Sequence, residues 1–163
     1  MANGTSASPE LVAANQPEDY LAARTLFSEY ASQLGVDLCF QNFSAELERL
    51  PEMYGPPGGR LILARREGQL IGCVGVRALP KASGACEMKR LYVRASARGL
   101  GVGRQLTVAA IDAARQLGYR RLVLDTLGSM IAARALYSEL GFRETPPYYP
   151  NPSADVAYLE LVL

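Results

Sequence analysis

The stretch from residue 86 to residue 127 constrains the fold more than any other part of the chain. It reads as a strand at 86–93, a glycine-rich loop at 98–104, a helix running to about Leu117, and a second strand at 121–127. Leu106, Ala110, Ala113 and Leu117 fall on one side of that helix, and Gly118 follows as its cap. Two strands joined by a crossover helix lie parallel, with the helix against one face of their sheet. A strand in such a unit should be nearly all apolar. Strand 86–93 instead contains Glu87, Lys89 and Arg90. Either it is an edge strand whose charges face water, or the charges line a cleft and the strand is the floor of a site.

The rest of the chain supplies a different pattern on each side of this unit. A short strand at 10–14 leads to Pro17, which is suited to open a helix reaching about Leu34. Leu21, Phe27 or Tyr30, and Leu34 give that helix an apolar side, and Gly35 stops it. A second helix is expected over 44–50, capped by Ser44, with Leu47 and Leu50 inward and Pro51 ending it. The breaker at 55–59 is followed by a β-hairpin, 60–66 and 70–79, turning at 67–69. A turn around Ser83 and Gly84 feeds the charged strand. After 121–127 come a helix at 129–140, an exit at Gly141 and Phe142, a proline-rich loop at 146–152, and a last strand at 156–163. The predicted order is β-α-α-β-β-β-α-β-α-β-β, an α/β (α+β) mixed sheet, antiparallel first, in one domain over 1–163 with a disordered tail at 1–8.

Composition removes several function classes. With 163 residues, 49% of them apolar and 20% charged, the chain is long enough for one packed core. Its 17 basic and 16 acidic residues leave a formal charge of +1, no reason to expect a nucleic acid or a membrane as partner. No His is present, which excludes a histidine base and histidine metal ligands. The cysteines Cys39, Cys73 and Cys86 are odd in number and lack metal-site spacing, so no metal, no disulfide framework and a reducing compartment are expected. The first residues resemble no secretion signal. The apolar run at 70–76 is too short to cross a bilayer, and a cytoplasmic location is expected.

The loop Arg98-Gly99-Leu100-Gly101-Val102-Gly103-Arg104 lies between a strand and a helix. Alternating glycines allow positive φ and close approach of a ligand to the backbone. The unpaired amides at the helix start carry the positive end of its dipole, an arrangement suited to a pyrophosphate. The plain alternative is a mobile surface loop. A P-loop would need Gly-Lys-Ser/Thr, which is absent, and a dinucleotide fingerprint lacks its third glycine here. Asp125, about twenty residues on at a strand end, keeps the dinucleotide reading as an alternative.

At these residues the chain resembles the Gcn5-related N-acetyltransferases. Arg98-x-x-Gly101-x-Gly103 is similar to that family's Arg/Gln-x-x-Gly-x-Gly/Ala signature. Ala133-x-x-Leu136-Tyr137-x-x-Leu140-Gly141-Phe142 resembles its fourth helix and exit. The resemblance runs from about residue 60 to the C-terminus. It implies the acyl-CoA N-acyltransferase fold, in which strands 86–93 and 121–127 splay apart to admit the pantetheine arm of acetyl-CoA. The backbone of Leu91, Tyr92 and Val93 would then pair with that arm, and the amides of Gly99, Leu100, Gly101, Val102, Gly103 and Arg104 would hold the pyrophosphate, with Ala133 and Tyr137 also along the cofactor. The family commonly has an Asn seven residues before the helix tyrosine; this chain has Met130.

The implied reaction is direct transfer of an acetyl group from acetyl-CoA to a small amine. An alkyl amine titrates near 10.4 and needs to lose a proton before it attacks. Glu87 stands eleven residues before Arg98, a spacing similar to that of the base in the family's histone-acetylating branch. It is either that base or a carboxylate paired with Lys89 or Arg90, and many relatives use ordered water. Tyr137 matches the tyrosine that protonates the departing thiolate; otherwise it is a core residue among Ala133, Leu136 and Leu140. Phe40, Gln41 and Tyr54 on one side and Tyr148, Tyr149 and Asn151 on the other are the expected acceptor walls, with Arg90 able to hold a carboxylate. A non-catalytic acyl-CoA-binding module and a dinucleotide-dependent oxidoreductase are the alternatives. A homodimer stays open.

Overall fold

The computed structural model describes residues 7–35, 37–80 and 84–163, all but the side chain of Phe40. Most of the expected tail at 1–8, Ser83 of the expected turn, and the Phe40 side chain therefore lie outside the described residues. Seven strands form one sheet in the order β1-β2-β3-β4-β5-β7-β6. They are β1 (Glu10–Ala13), β2 (Arg60–Arg66), β3 (Gln69–Ala78), β4 (Ala85–Val93), β5 (Arg121–Leu127), β6 (Arg143–Glu144) and β7 (Val156–Val162). The helices are α1 (Pro17–Leu34), α2 (Phe43–Glu48), α3 (Leu50–Tyr54), α4 (Val102–Gln116) and α5 (Ile131–Glu139). Helices α1–α3 pack on one face through Leu26, Phe27, Leu50 and Tyr54. On the other face lies the larger core, where Leu106 and Ala110 of α4 and Tyr137 of α5 meet Met88 and Leu124.

Local chemistry explains most boundaries. Pro17 opens α1 where its missing N–H costs nothing, and the Asp19 carboxylate accepts from the Gln16 backbone N–H at 3.1 Å. Gly35 closes it with φ 70°. The β2–β3 hairpin turns through Glu67 and Gly68, both at positive φ, which matches the twist of the flanking strands.

Three expectations needed correction. The single helix at 44–50 is two short helices, because Arg49 leaves helical geometry and Pro51 sits in the first turn of α3 rather than ending a helix. The cap of α2 is Asn42 at φ 55°, not Ser44. Leu21, expected on the inner side of α1, is 63% exposed. It stands six residues from Phe27, about 120° round the helix, whereas Ala23, Leu26 and Phe27 share the buried side.

One feature of the sheet positions the site. Strand β4 is the fourth of seven, not an edge, and pairs in parallel with β5 only through Ala85↔Arg121, Cys86↔Leu122 and Glu87↔Val123. Beyond Glu87 the two strands part. Strand β5 keeps its full antiparallel ladder with β7, from Arg121↔Val162 to Leu127↔Val156. Strand β4 follows β3 instead, with a bulge: Cys73 faces Tyr92 and Gly75 faces Lys89, so β4 spends one more residue than β3. A bulge bends and twists its strand, and the sheet opens there into a wedge.

Candidate active site

The bulge determines which charges enter the wedge. In a regular strand Lys89 and Arg90 would point to opposite faces. Arg90 has φ 60°, and both side chains turn to the α1–α3 side, Arg90 reaching Glu46 of α2 and Lys89 reaching Gln41 in the 3₁₀ turn Cys39–Gln41. Glu87, Lys89 and Arg90 are only 2%, 5% and 4% exposed. Six charges, four buried and two (Arg77 and Asp125) partly buried, then sort themselves by geometry. The Arg90 guanidinium donates to both Glu46 oxygens at 2.8 and 3.2 Å, between the rings of Tyr30 and Phe43. Arg77 donates from Nε to Glu87 Oε1 at 3.0 Å. Lys89 and Asp125 remain, 3.7 Å apart.

Two cavities occupy the wedge and share Tyr30, Leu34, Leu91 and Met130 in their walls. The larger, 590 Å³ and open, runs from Leu91 and Val93 past Arg98 and Gly103 to Ala133 and Leu136. On its edge away from β3, the β4 wall has no strand partner after Glu87 among the described residues, so peptide groups on that edge are available to a ligand. At its far end Gly99 and Gly101 take φ 78° and 77°, and the first intrahelical bond of α4 is Gln105 N–H to Gly101 C=O. The amides of Val102, Gly103 and Arg104 precede that bond and are left for a ligand. A Cβ at Gly103 would meet only Val93 Cγ2, at 3.9 Å, and one at Gly99 or Gly101 would meet nothing within 4 Å. That cradle and that free strand edge fit the pyrophosphate and the extended arm of a coenzyme A thioester.

The smaller cavity is narrow and mixed in character, with Gln41, Lys89, Arg90, Asp125, Asn151 and Tyr137 in its wall beside Leu34, Leu38 and Leu127. The proline-rich loop reaches its wall through Asn151. Tyr148 donates to Glu87 Oε2 and Tyr149 donates to Asp125 Oδ2, each at 2.5 Å. Gln41 Nε2 donates to the Tyr149 hydroxyl at 2.9 Å. Burial and the neighbouring carboxylates push both phenols well above the usual tyrosine range, so they stay protonated donors. Burial likewise lowers Lys89, against the pull of Glu87 and Asp125. Tyr137, 5% exposed, is raised above the usual range, by burial first and then by Tyr30 and Asp125.

A family model described as the acetyltransferase (GNAT) family matches residues 22–142. The chain belongs to that family. It is 44% identical over 146 residues to an uncharacterized N-acetyltransferase of Schizosaccharomyces pombe, covering 89% of each chain. It is 31% identical over 120 residues to an uncharacterized N-acetyltransferase of Escherichia coli, covering 73% and 71% of the two chains. The fold matches the crystal structure of a GNAT-family acetyltransferase from Staphylococcus aureus with a TM-score of 0.75 at 21% identity, over 94% and 98% of the chains. The protein is thus an acetyltransferase, of a family that uses acetyl-CoA as co-substrate, and the oxidoreductase alternative is set aside.

In this GNAT enzyme most of the residues expected from sequence converge on the wedge. Leu91, Tyr92, Val93, Arg98, Gly103 and Ala133 line the open groove, and Gly99, Leu100, Gly101 and Val102 build the turn at its end. Two arginines are engaged within the protein: Arg98 donates to the Val93 carbonyl and to Gln33, and Arg104 pairs with Glu139. Gln41, Arg90 and Asn151 line the narrow cavity; Tyr148 and Tyr149, expected in its wall, are not part of the lining and instead hold Glu87 and Asp125 through their hydroxyls. Tyr54 is a correction. It is 0% exposed in the core under β3, edge-on to Phe27, where it cannot meet an acceptor. Arg90 is a second, because Glu46 takes the guanidinium that was expected to hold a carboxylate. Glu87 is buried with both oxygens occupied, by Arg77 and by Tyr148. Sequence reasoning gave no acceptor role to Lys89 or Asp125. The signal for Lys89 was its place in a strand that should have been apolar.

No helix among the described residues is long and apolar enough to cross a membrane.

Proposed function

We propose that this acetyltransferase moves the acetyl group of acetyl-CoA directly onto the amine of a small acceptor held in the narrow cavity. The observation that carries the reading is the meeting of the two cavities at Leu91 and Met130, with Tyr137 in the wall. Bound acetyl-CoA supplies the electrophile, an acetyl thioester. The unpartnered edge of β4 at Leu91, Tyr92 and Val93 holds the extended arm and offers backbone N–H groups where negative charge develops on the acetyl oxygen. The amides of residues 99–104 hold the pyrophosphate. Tyr137 gives its proton to the sulfur as the carbon–sulfur bond breaks. Its raised pKa keeps the hydroxyl protonated until that moment.

The amine loses one proton as its nitrogen bonds to the acetyl carbon. Asp125 lies on the cavity wall and receives that proton in this reading. Glu87, the base expected from sequence spacing, acts one layer deeper by fixing Tyr148 and Lys89. Asp125→Asn and Glu87→Gln separate the two roles. The first should lower kcat, and the second should alter mainly the KM of the acceptor. The test is release of free thiol from acetyl-CoA across a panel of amines. With an accepted amine, Tyr137→Phe should lower kcat about 10²–10⁴-fold at unchanged acetyl-CoA affinity. An unaltered kcat where chemistry is rate-limiting returns Tyr137 to a packing role.

A further inference from the structure

Among the described residues, Lys89 is the one cation of the cluster whose donors are not taken up by a carboxylate at hydrogen-bonding distance. Its side chain is 4% exposed, and it lines the narrow cavity. Among the described residues one donor is met, by Gln41 Oε1 at 3.2 Å. The nearest carboxylate oxygens, Asp125 Oδ1 and Glu87 Oε2, stand at 3.7 and 3.8 Å, and the Tyr149 ring centroid at 5.6 Å. An ammonium carries three donors, and leaving buried donors unmet is costly. Asp125 faces the same space, and between them the two offer a positive and a negative pole 3.7 Å apart.

We infer that the acceptor is a small amino acid, bound with its carboxylate on Lys89 and its amine on Asp125. The inference deepens the acetyl-transfer reading and rests on it. The matching is by charge: Arg90 with Glu46 and Arg77 with Glu87 cancel within their pairs, so a net-neutral zwitterion fills the remaining poles without leaving a charge unbalanced. A plain amine would leave Lys89 with only the Gln41 bond. A plain carboxylic acid would bring a second anion beside Asp125. Size agrees as well. The centres of water molecules can occupy about 50 Å³ here, room for about four waters at roughly 10–15 Å³ each, or about 120 Å³ of liquid. That volume suits an amino acid with a short side chain. Leu34, Leu38 and Leu127 in the wall favour an apolar one.

The experiment compares amino acids with the same molecules lacking the carboxylate: alanine with ethylamine, serine with ethanolamine, valine with isobutylamine. The readouts are thiol release from acetyl-CoA and, separately, calorimetric binding of each compound to the protein loaded with coenzyme A. The amino acid of a pair should exceed its partner in kcat/KM by about ten- to a hundred-fold, the range of a hydrogen bond to a charged group. Lys89→Met should bring that ratio toward one by raising the KM of the acid, and Lys89→Arg should restore part of it. Equal or better use of the decarboxylated amines by the unaltered protein overturns the inference, whatever the variants do. If no compound is turned over, calorimetry still decides. Carboxylate-dependent binding lost in Lys89→Met supports the site and counts against acetyl transfer alone. No binding of any amino acid overturns the inference.

Discussion

Glu46→Gln tests what holds the bulge that shapes the site. Glu46 is 1% exposed and accepts two bonds from Arg90, whose own side chain is 2% exposed. A second cation, Arg77, lies 4.0 Å from the same carboxylate. Glutamine keeps the shape and one acceptor but removes the charge, leaving the Arg90 guanidinium with one amide oxygen and the rings of Tyr30 and Phe43. Cation–π contacts contribute about 0.5–2 kcal/mol. Removing one partner of a buried pair costs about 3–5 kcal/mol, and the retained amide oxygen puts this variant near the lower end. For 163 residues about 2–4 °C of Tm follow each kcal/mol, so the midpoint should fall by about 6–12 °C. Urea unfolding at equilibrium should show the same loss with an unchanged m-value. Because Arg90 at φ 60° carries the bulge, acetyl transfer should fall together with stability. The paired variant Glu46→Met with Arg90→Met should recover at least half the stability, since no lone charge remains. A Glu46→Gln protein within about 1 kcal/mol of the parent would refute the argument that this pair holds the bulge.

Two further outcomes are expected. Gly101→Val should abolish the stabilisation of about 2.7 kcal/mol that acetyl-CoA gives at a hundred-fold excess over its Kd, because φ 77° is closed to a β-branched residue; a thermal shift equal to the parent's would count against the loop as the pyrophosphate site. Above pH about 8.5 the fold should lose stability, because burial pushes the Cys86 thiol up to about 12 and raises Cys73 as well, whereas the unfolded thiols ionise near 8.5. The unfolded state then binds fewer protons than the folded one, so stability falls as pH rises, by at most about 1.4 kcal/mol per pH unit for each thiol. Replacing both thiols by Ala should flatten that slope in urea titrations between pH 8.5 and 10.5, and an unchanged slope would assign it to other groups.

What the sequence by itself determined is local in cause. Proline 17, the glycines at 35, 68 and 118, and the change from helical to strand spacing near residue 60 act within a few residues, and their elements form where expected. The glycine loop was legible for the same reason, since positive φ at Gly99 and Gly101 is a property of the residue. Leu21 and Pro51 misled because each has two local readings that packing alone separates. The tertiary structure decided the partnerships of charge. Nothing in the order of Glu87, Lys89 and Arg90 says that a bulge turns two adjacent cations to one face, or that Glu46, 44 positions away, takes Arg90. Nor does it say that Tyr148 and Tyr149 close over Glu87 and Asp125. A buried charge takes whichever partner the fold brings within about 3 Å, and that choice is made by distances between elements far apart in the chain. Lys89 and Asp125 are what those pairings left over.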